Sequence, residues 1–282
     1  MNIAVSTLAF KGLSFDEIVE VSNENKLTIE FSSGFPYSDN MVDRYINIEI
    51  PRLLHNYFPA PKQPFVLNLA SANDNIRIRS IAHCMQGLEL SKKSSSQMYA
   101  AHAGFCVDPN PSELGVKLEL GNKIDIDVHQ KIFINSVREI LIHSEKLNVS
   151  FYVENNVLAK QNVTQSGLNP LLCVAPNQIV ELFKEIGDPR FGLLLDTGHL
   201  KVSAQTLGFS LEDGFEKIRP YVKAIHHNDN NGLQDTNEPI TDAYWFLKYM
   251  PLTKNIPHVL EVKHQTIPDI QKQIAILQLA AN

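Results

Sequence analysis

The feature that most constrains the fold of this chain is an alternation of short, β-branched apolar runs with longer amphipathic stretches along its whole length. Parallel strands joined by crossover helices give this pattern, because such strands are buried on both faces and such helices on only one. Eight strands are predicted, at Ile3–Ser6, Leu27–Phe31, Arg52–His55, Met98–His102, Phe151–Glu154, Phe191–Asp196, Val222–His226 and Val259–Val262. Right-handed crossovers close such a series into an α/β fold, the (β/α)8 TIM barrel.

Several of the intervening stretches carry helix signals. Ser14 and Glu17 have the spacing of a capping box, and Pro176 suits the first turn of a helix. Helices are predicted at Ser14–Asn23, Asp127–Leu147, Pro176–Ile186, Ser210–Ile218 and Ile267–Leu279. Two connections, over residues 58–72 and 104–125, are too long for simple turns. Both follow strand ends, so in a barrel they would fold over the face where active sites lie.

Length and charge limit the domain count and the partners. The chain has 282 residues, and one barrel takes roughly 250, so a single domain over residues 1–282 is expected. The formal net charge of -6 supplies no overall positive potential to attract nucleic acid, although a local basic groove stays open. Self-association into a homo-oligomer is also left open.

The apolar segments and the cysteines bear on cellular location. No run of about 18 apolar residues is present, and the first ten residues lack the basic and apolar parts of a secretory signal. Cys84, Cys106 and Cys173 are odd in number and lie outside any CxxC spacing. These features predict no membrane partner, buried thiols and a cytoplasmic location.

The last four strands end in residue types that bind metals. An apolar run precedes each of these side chains, so each would be costly to bury alone, and a shared cation would remove that cost. The residues are Glu154, Asp196 with His199, His226 with Asp229, and Glu261 with Lys263. Mixed carboxylate and imidazole ligands suit Zn, Mn, Fe or Mg. A hydrogen-bond network of the same residues without metal is the alternative.

These motifs resemble those of the xylose isomerase-like TIM barrel superfamily, which includes sugar phosphate isomerases and epimerases and the family 2 apurinic (AP) endonucleases. The resemblance rests on Glu154, Asp196-Thr-Gly-His199, His226-His-Asn-Asp229-Asn-Asn-Gly232 and Glu261, and it covers nearly the whole chain. It implies that Glu154, Asp196, His226 and Glu261 hold one divalent metal ion. It further implies that His199 contacts the substrate or a second metal.

Other residues resemble the endonuclease branch in particular. His55 and His102, which end the third and fourth strands, match additional zinc ligands of that branch. Asp235 matches the aspartate of an Asp-x-His pair, but Asn237 stands where the histidine of that pair is expected. The resemblance therefore adds His55, His102, His199 and Asp235 as candidate ligands of additional metal ions, and the departure at Asn237 puts a third tightly held ion in doubt.

The resulting functional hypothesis is a divalent-metal-dependent isomerase or epimerase of a small sugar or sugar phosphate, with proton transfer beside a carbonyl. By resemblance Glu154 and Glu261 act as base and acid, and His199 contacts the substrate. Lys263 either binds an anionic group of the substrate or pairs with Glu261. The alternative function is metal-dependent phosphodiester hydrolysis of the apurinic endonuclease type.

Two further residues near the strand ends stay open. Strand alternation turns His227 away from His226, towards the helix layer, which predicts a structural contact. Glu30, near the end of the second strand, either hydrogen-bonds a sugar hydroxyl or stabilises the barrel rim.

Overall fold

The structure is a computed structural model that describes residues 1–10, 12–113, 124–164 and 167–282. Its strands are β1 (Ile3–Ser6), β2 (Thr28–Phe31), β3 (Arg52–Leu54), β4 (Met98–His102), β5 (Ser150–Glu154), β6 (Phe191–Asp196), β7 (Val222–His227) and β8 (His258–Leu260). They form one parallel sheet in the order β3-β2-β1-β8-β7-β6-β5-β4. A parallel bridge from His55 to Ala100 brings the two edges together. The predicted (β/α)8 TIM barrel is confirmed.

The helices are α1 (Phe15–Glu24), α2 (Met41–Asn47), α3 (Asp74–Lys93), α4 (Ile126–Leu147), α5 (Pro176–Ile186), α6 (Thr197–Leu207), α7 (Leu211–Ile218), α8 (Met250–Thr253) and α9 (Ile267–Ala280). All five helices predicted from the sequence are present. The capping box of α1 is formed as expected: Ser14 N donates to Glu17 Oε2 at 2.7 Å, and Glu17 N donates to Ser14 Oγ at 3.4 Å. In the described part of the chain, no helix is both long and apolar enough to cross a membrane.

Strand ends differ from the prediction by one or two residues. Strand β8 stops at Leu260, so Glu261 lies just beyond it, and β7 continues to His227. His55 follows β3 and pairs with β4 instead of ending a regular strand. These shifts change only where each strand begins or ends. Side chains still alternate along each strand, so the face to which each one points is unchanged.

Alternation along the strands builds two layers inside the barrel. Met98, Ala100, Leu194 and Ala224 form a buried apolar cluster of their own, against which Tyr152 packs. Two residues further along each of the same strands the inward position is polar, and these residues are His102, Glu154, Asp196 and His226. A polar layer therefore lies directly above the apolar one, at the carboxyl ends of the strands.

The two long connections contact each other through Asn68. Its side-chain amide donates to the carbonyl of Val107 at 2.9 Å and to Asp108 Oδ1 at 2.8 Å, and its Oδ1 accepts from Phe105 N at 2.9 Å. The first connection thus supports the start of the second on the same face of the barrel. Residues 114–123 of the predicted second connection lie outside the described residues.

Helix α3 approaches strand β4 closely at Gly87, and this contact is testable. A Cβ atom at Gly87 would overlap the buried ring of Tyr99. We expect Gly87→Ala to lower the free energy of unfolding by about 1–3 kcal/mol, because overpacking outweighs the better helix propensity of alanine. Urea unfolding measures this change in the free energy of unfolding. The neighbouring Gln86→Ala, at an exposed position, should change the same quantity by less than about 0.5 kcal/mol. Equal effects of the two substitutions would contradict the close approach.

Candidate metal centre

Strand ends and a helix start position the residues of the site. Glu154 is the last residue of β5, and Asp196 is the last of β6. Helix α6 begins directly after Asp196, whose Oδ1 caps it by accepting from the backbone N–H of His199 at 2.7 Å. The Asp-x-x-His spacing thus corresponds to a strand that runs straight into a helix, which holds the carboxylate and the imidazole in one fixed arrangement.

The Glu154 carboxylate lies at the centre of four imidazoles. Its Oε2 is 2.9 Å from His55 Nε2 and 3.3 Å from His102 Nδ1. Its Oε1 is 3.5 Å from His199 Nδ1 and 3.6 Å from His226 Nδ1. Within the part of the chain that the structure describes, neither oxygen is aligned in a hydrogen bond, and Glu154 is fully buried. An ionised carboxylate in this position is costly unless a cation compensates it, so the cluster has the character of converging metal ligands.

Three overlapping sets of side chains in the described residues could hold an ion, and within each set the ligand atoms lie within 4.8 Å of one another. The sets are Glu154, Asp196, His226 and Glu261; His55, His102 and Glu154; and Glu30, His55, His226 and Glu261. The first is the four-residue set predicted for the principal metal. The structure therefore brings together residues that the sequence placed on four separate strands.

The donors fit a divalent ion. The first set offers one imidazole and three carboxylates, a mixture that Zn, Mn, Fe and Mg all accept. The clearest sign is the Glu154 carboxylate, because four imidazole nitrogens surround its two oxygens and yet none of them, among the described residues, is aligned for a hydrogen bond. A hydrogen-bond network without metal would be expected to align them.

His199 connects the cluster with the loop after β7. Its Nδ1 donates to the carbonyl of Asn155 at 2.8 Å, and its Nε2 lies 3.3 Å from Asp235 Oδ2. Asp235 therefore lies beside His199, but among the described residues neither belongs to a group of three or more possible ligands. The side chain of Asn237 points elsewhere, because its amide nitrogen lies 3.5 Å from the backbone carbonyl of Glu261.

Burial and neighbouring charges shift the protonation of the metal-free cluster. Burial raises the pKa of Asp196 to about 8. Burial also acts to raise the pKa of Glu154, but His102 and His55 reverse this and hold it well below the usual value. Burial acts to lower the pKa of His226, yet Glu261 and Glu30 together raise it far above the usual value. The cluster therefore retains protons that a bound cation would displace.

A cavity of about 800 Å³ opens above the cluster. His102 and His199 line it, together with several side-chain amides and one lysine. The amides are those of Asn56, Asn156, Gln161, Asn162 and Gln234, and the lysine is Lys263. In the described part of the chain no carboxylate forms an ion pair with Lys263, so the pairing with Glu261 considered from the sequence is not observed. Two carboxylates, Glu113 and Asp235, also line the cavity. Side-chain amides of this kind can hydrogen-bond the hydroxyl groups of a ligand.

Two residues left open by the sequence now have partners. His227 faces the helix layer as predicted, where its Nδ1 lies 3.1 Å from Tyr244 Oη and its Nε2 lies 2.7 Å from His258 Nδ1. Glu30 points into the barrel and its Oε2 lies 3.0 Å from His226 Nε2. The sequence signal for Glu30 was a carboxylate within a short strand that is otherwise mostly apolar.

The model of the xylose isomerase-like TIM barrel family matches residues 36–258. The chain belongs to this family. A solved structure described as a D-tagatose 3-epimerase-like protein has a TM-score of 0.74 and 19% identity, with 99% of this chain and 97% of that one covered. D-psicose 3-epimerase from Clostridium cellulolyticum H10 has a TM-score of 0.66 and 16% identity, with 100% and 96% covered. At these identities the two structures show a shared fold alone.

The chain is also similar in sequence to a protein named as an endonuclease. A probable endonuclease 4 of Mesomycoplasma hyopneumoniae (strain J) is 28% identical over 166 residues, which cover 54% of this chain and 56% of that protein. The chain spans less than two thirds of the length of the curated relatives that it matches. The activities of those relatives therefore bear on this chain only as hypotheses.

The pKa shifts predict how the stability of the metal-free protein depends on pH. Between pH 6.5 and about 8 the folded state keeps protons on Asp196, His199 and His226 that the unfolded state has already released. Stability must fall as pH rises wherever the folded state binds more protons. We expect the unfolding temperature of chelator-treated protein to drop across this range, as measured by circular dichroism.

The same experiment has a matched control. Asp196→Asn removes one of the retained protons and should make the slope of unfolding temperature against pH shallower. Added zinc should raise the unfolding temperature more at pH 8 than at pH 6.5, because zinc binding requires deprotonated ligands. A flat or rising profile for the metal-free wild-type protein would contradict the assigned protonation.

Proposed function

We propose that this protein is a divalent-metal-dependent isomerase or epimerase of a small sugar or sugar phosphate, built as a single barrel domain and located in the cytoplasm. The observation that carries the proposal is a buried group of three carboxylates and one imidazole beneath a cavity lined by amides. The amides offer hydrogen bonds to hydroxyl groups. The names of two structurally similar proteins, a D-tagatose 3-epimerase-like protein and a D-psicose 3-epimerase, are in keeping with it.

The metal ion would be held by Glu154, Asp196, His226 and Glu261. When bound, it would act as a Lewis acid that polarises the substrate carbonyl and so acidifies the neighbouring C–H bond. These ligand types accept Zn, Mn, Mg or Fe.

Glu154 and Glu261 are proposed to move the proton. Glu154 ends strand β5 and Glu261 directly follows strand β8. Two further strands separate β5 from β8 in the sheet, so the two carboxylates approach the metal group from different sides. One carboxylate removes the proton from the carbon beside the carbonyl, and the other carboxyl group delivers a proton to that carbon from the opposite face. Asp196 and His226 hold their places through the α6 cap and the contacts with Glu261 and Glu30.

His199 and Lys263 are proposed to bind the substrate. The Nδ1–H of His199 is committed to the Asn155 carbonyl, which fixes the ring and leaves Nε2 at the cavity wall, near Asp235. Lys263 also lines the cavity and pairs with no carboxylate of the described residues. It is placed to bind a phosphate or carboxylate group of the substrate.

Proton transfer at carbon predicts the uptake of solvent deuterium. With metal-loaded protein in D2O, we expect NMR to show deuterium beside the carbonyl of the sugar that is turned over, from a panel of ketohexoses and their phosphates. Glu154→Gln and Glu261→Gln should lower kcat by about 10²- to 10⁴-fold, because each removes a group that transfers a proton. His143→Ala, on the outer helix α4, should leave kcat unchanged. Product formed without deuterium would exclude proton exchange with solvent.

Lys263 allows a test of the anionic group. We expect Lys263→Ala to raise KM for a phosphorylated or carboxylated sugar by about 10- to 100-fold, since one charged hydrogen bond is lost. The KM for the corresponding neutral sugar should stay within about twofold of its wild-type value. Steady-state kinetics on a matched pair of sugars measure the difference, and equal changes for both members would argue against an anion-binding role.

One observation favours a second candidate function, metal-dependent phosphodiester hydrolysis. His55 and His102 lie beside Glu154 in a second set of metal ligands, and the Mesomycoplasma hyopneumoniae relative is named as a probable endonuclease. Elemental analysis of the purified protein, together with cleavage of an oligonucleotide that contains an abasic site, separates the two functions. Two or more ions per chain with cleavage at the abasic site would support hydrolysis, and a single ion without cleavage would support the isomerase.

A further inference from the structure

Glu30 is a buried carboxylate that the proposed reaction does not use. It is 0% exposed, it does not line the cavity, and its Oε1 has no hydrogen-bond partner among the described residues. Within the described ranges its side chain forms one hydrogen bond, from Nε2 of His226 to Oε2 at 3.0 Å. A carboxylate kept in the barrel interior for one contact needs a reason, because its burial is costly.

His226 lies between two carboxylates and uses a different nitrogen for each. Its Nδ1 lies 2.9 Å from Glu261 Oε2 and 3.6 Å from Glu154 Oε1, so Nδ1 faces the principal metal group. Its Nε2 points away from that group, towards Glu30. Because His226 is also 0% exposed, water does not compete for either nitrogen. The two nitrogens therefore have separate tasks, and Glu30 determines the state of the second.

A neutral imidazole carries one proton, and the hydrogen bond at one nitrogen decides where that proton sits. The Glu30 carboxylate can only accept, so it favours a proton on Nε2. Glu261 favours a proton on Nδ1 in the same way, but a metal ion at Nδ1 would displace that proton and leave only the one that Glu30 accepts. That tautomer leaves the lone pair on Nδ1, where a metal ion needs it. A carboxylate that accepts from the second nitrogen of a ligand histidine orients the ring and strengthens it as a ligand.

We propose that Glu30 is a positioning residue that holds His226 as an Nδ1 metal ligand by accepting its Nε2–H, and that Glu30 itself does not bind the metal. This role rests on the proposed metal-dependent function. The rival arrangement is the third set of possible ligands, in which Glu30 joins His55, His226 and Glu261 around an ion.

The test is the affinity of purified metal-free protein for zinc, measured by competition with a chromophoric chelator. Glu30→Gln keeps the shape of the side chain, but its amide nitrogen can donate to Nε2 and so favour the tautomer with the proton on Nδ1. We expect Glu30→Gln to weaken zinc binding by about 10-fold and Glu30→Ala by up to about 100-fold, with the number of ions per chain unchanged. Glu30→Asp, one methylene shorter, should weaken binding too, although it keeps the charge.

Two readouts separate positioning from a general structural effect. Metal-free Glu30→Gln should still fold, with one cooperative unfolding transition by circular dichroism, since the amide oxygen can accept from His226 Nε2. In the zinc-bound wild-type protein, ¹⁵N-detected NMR of the imidazoles should show His226 with its proton on Nε2, and in Glu30→Gln that proton should exchange faster with solvent. Ser22→Ala is the matched control, because its buried hydroxyl donates to the Ile18 carbonyl in α1, on another element. It should leave zinc affinity unchanged.

The outcomes are distinguishable. Equal zinc affinity in the wild type and in all three Glu30 variants would overturn the positioning role and leave the metal-dependent function standing. Loss of one zinc per chain in Glu30→Gln, with the remaining ions bound as in the wild type, would overturn it in favour of Glu30 as a ligand. A wild-type protein that binds no zinc, manganese, magnesium or iron would overturn the proposed function itself and this role with it.

Discussion

Closure of eight parallel strands is the constraint on which the rest of this structure depends. Side chains alternate along each strand, so every second residue points into the barrel, and parallel strands end at the same rim. The inward residue at the end of each strand must therefore meet those of its neighbours. Beneath this level the interior is filled by small and apolar side chains such as Ala100, Leu194 and Ala224. The polar side chains of the next layer cannot enter this apolar layer, so they point towards one another.

The electrostatics of the rim follow from this crowding. Carboxylates and imidazoles that would each be costly to bury alone are brought within a few ångströms of one another, and their protonation becomes linked. In the metal-free protein, protons supply the compensating positive charge, most clearly on His226 between Glu261 and Glu30. A divalent cation would supply the same compensation while leaving the ligands deprotonated. The site is thus arranged so that proton release and metal binding accompany each other.

The rim offers more possible ligands than one metal ion needs. Glu154, Asp196, His226 and Glu261 form one possible set, and His55 and His102 form another with Glu154. Asn237 donates to a backbone carbonyl, and Asp235 lies beside His199. The two proposed functions differ at these peripheral positions, because the proposed hydrolysis would use ions beyond the first. Because barrels host many reactions, the fold by itself does not decide between them.

The sequence by itself determined the barrel and the five predicted helices, which are α1, α4, α5, α7 and α9. These follow from local periodicity and capping signals. The ligand set of Glu154, Asp196, His226 and Glu261 came from the resemblance to the family. Only the tertiary structure decided that Glu30 contacts His226, 196 residues away, that four imidazoles share Glu154, and that Asn68 joins the two long connections. The physical reason is that strand order, register and barrel closure choose which distant residues meet, and the pattern along the chain does not encode those choices locally.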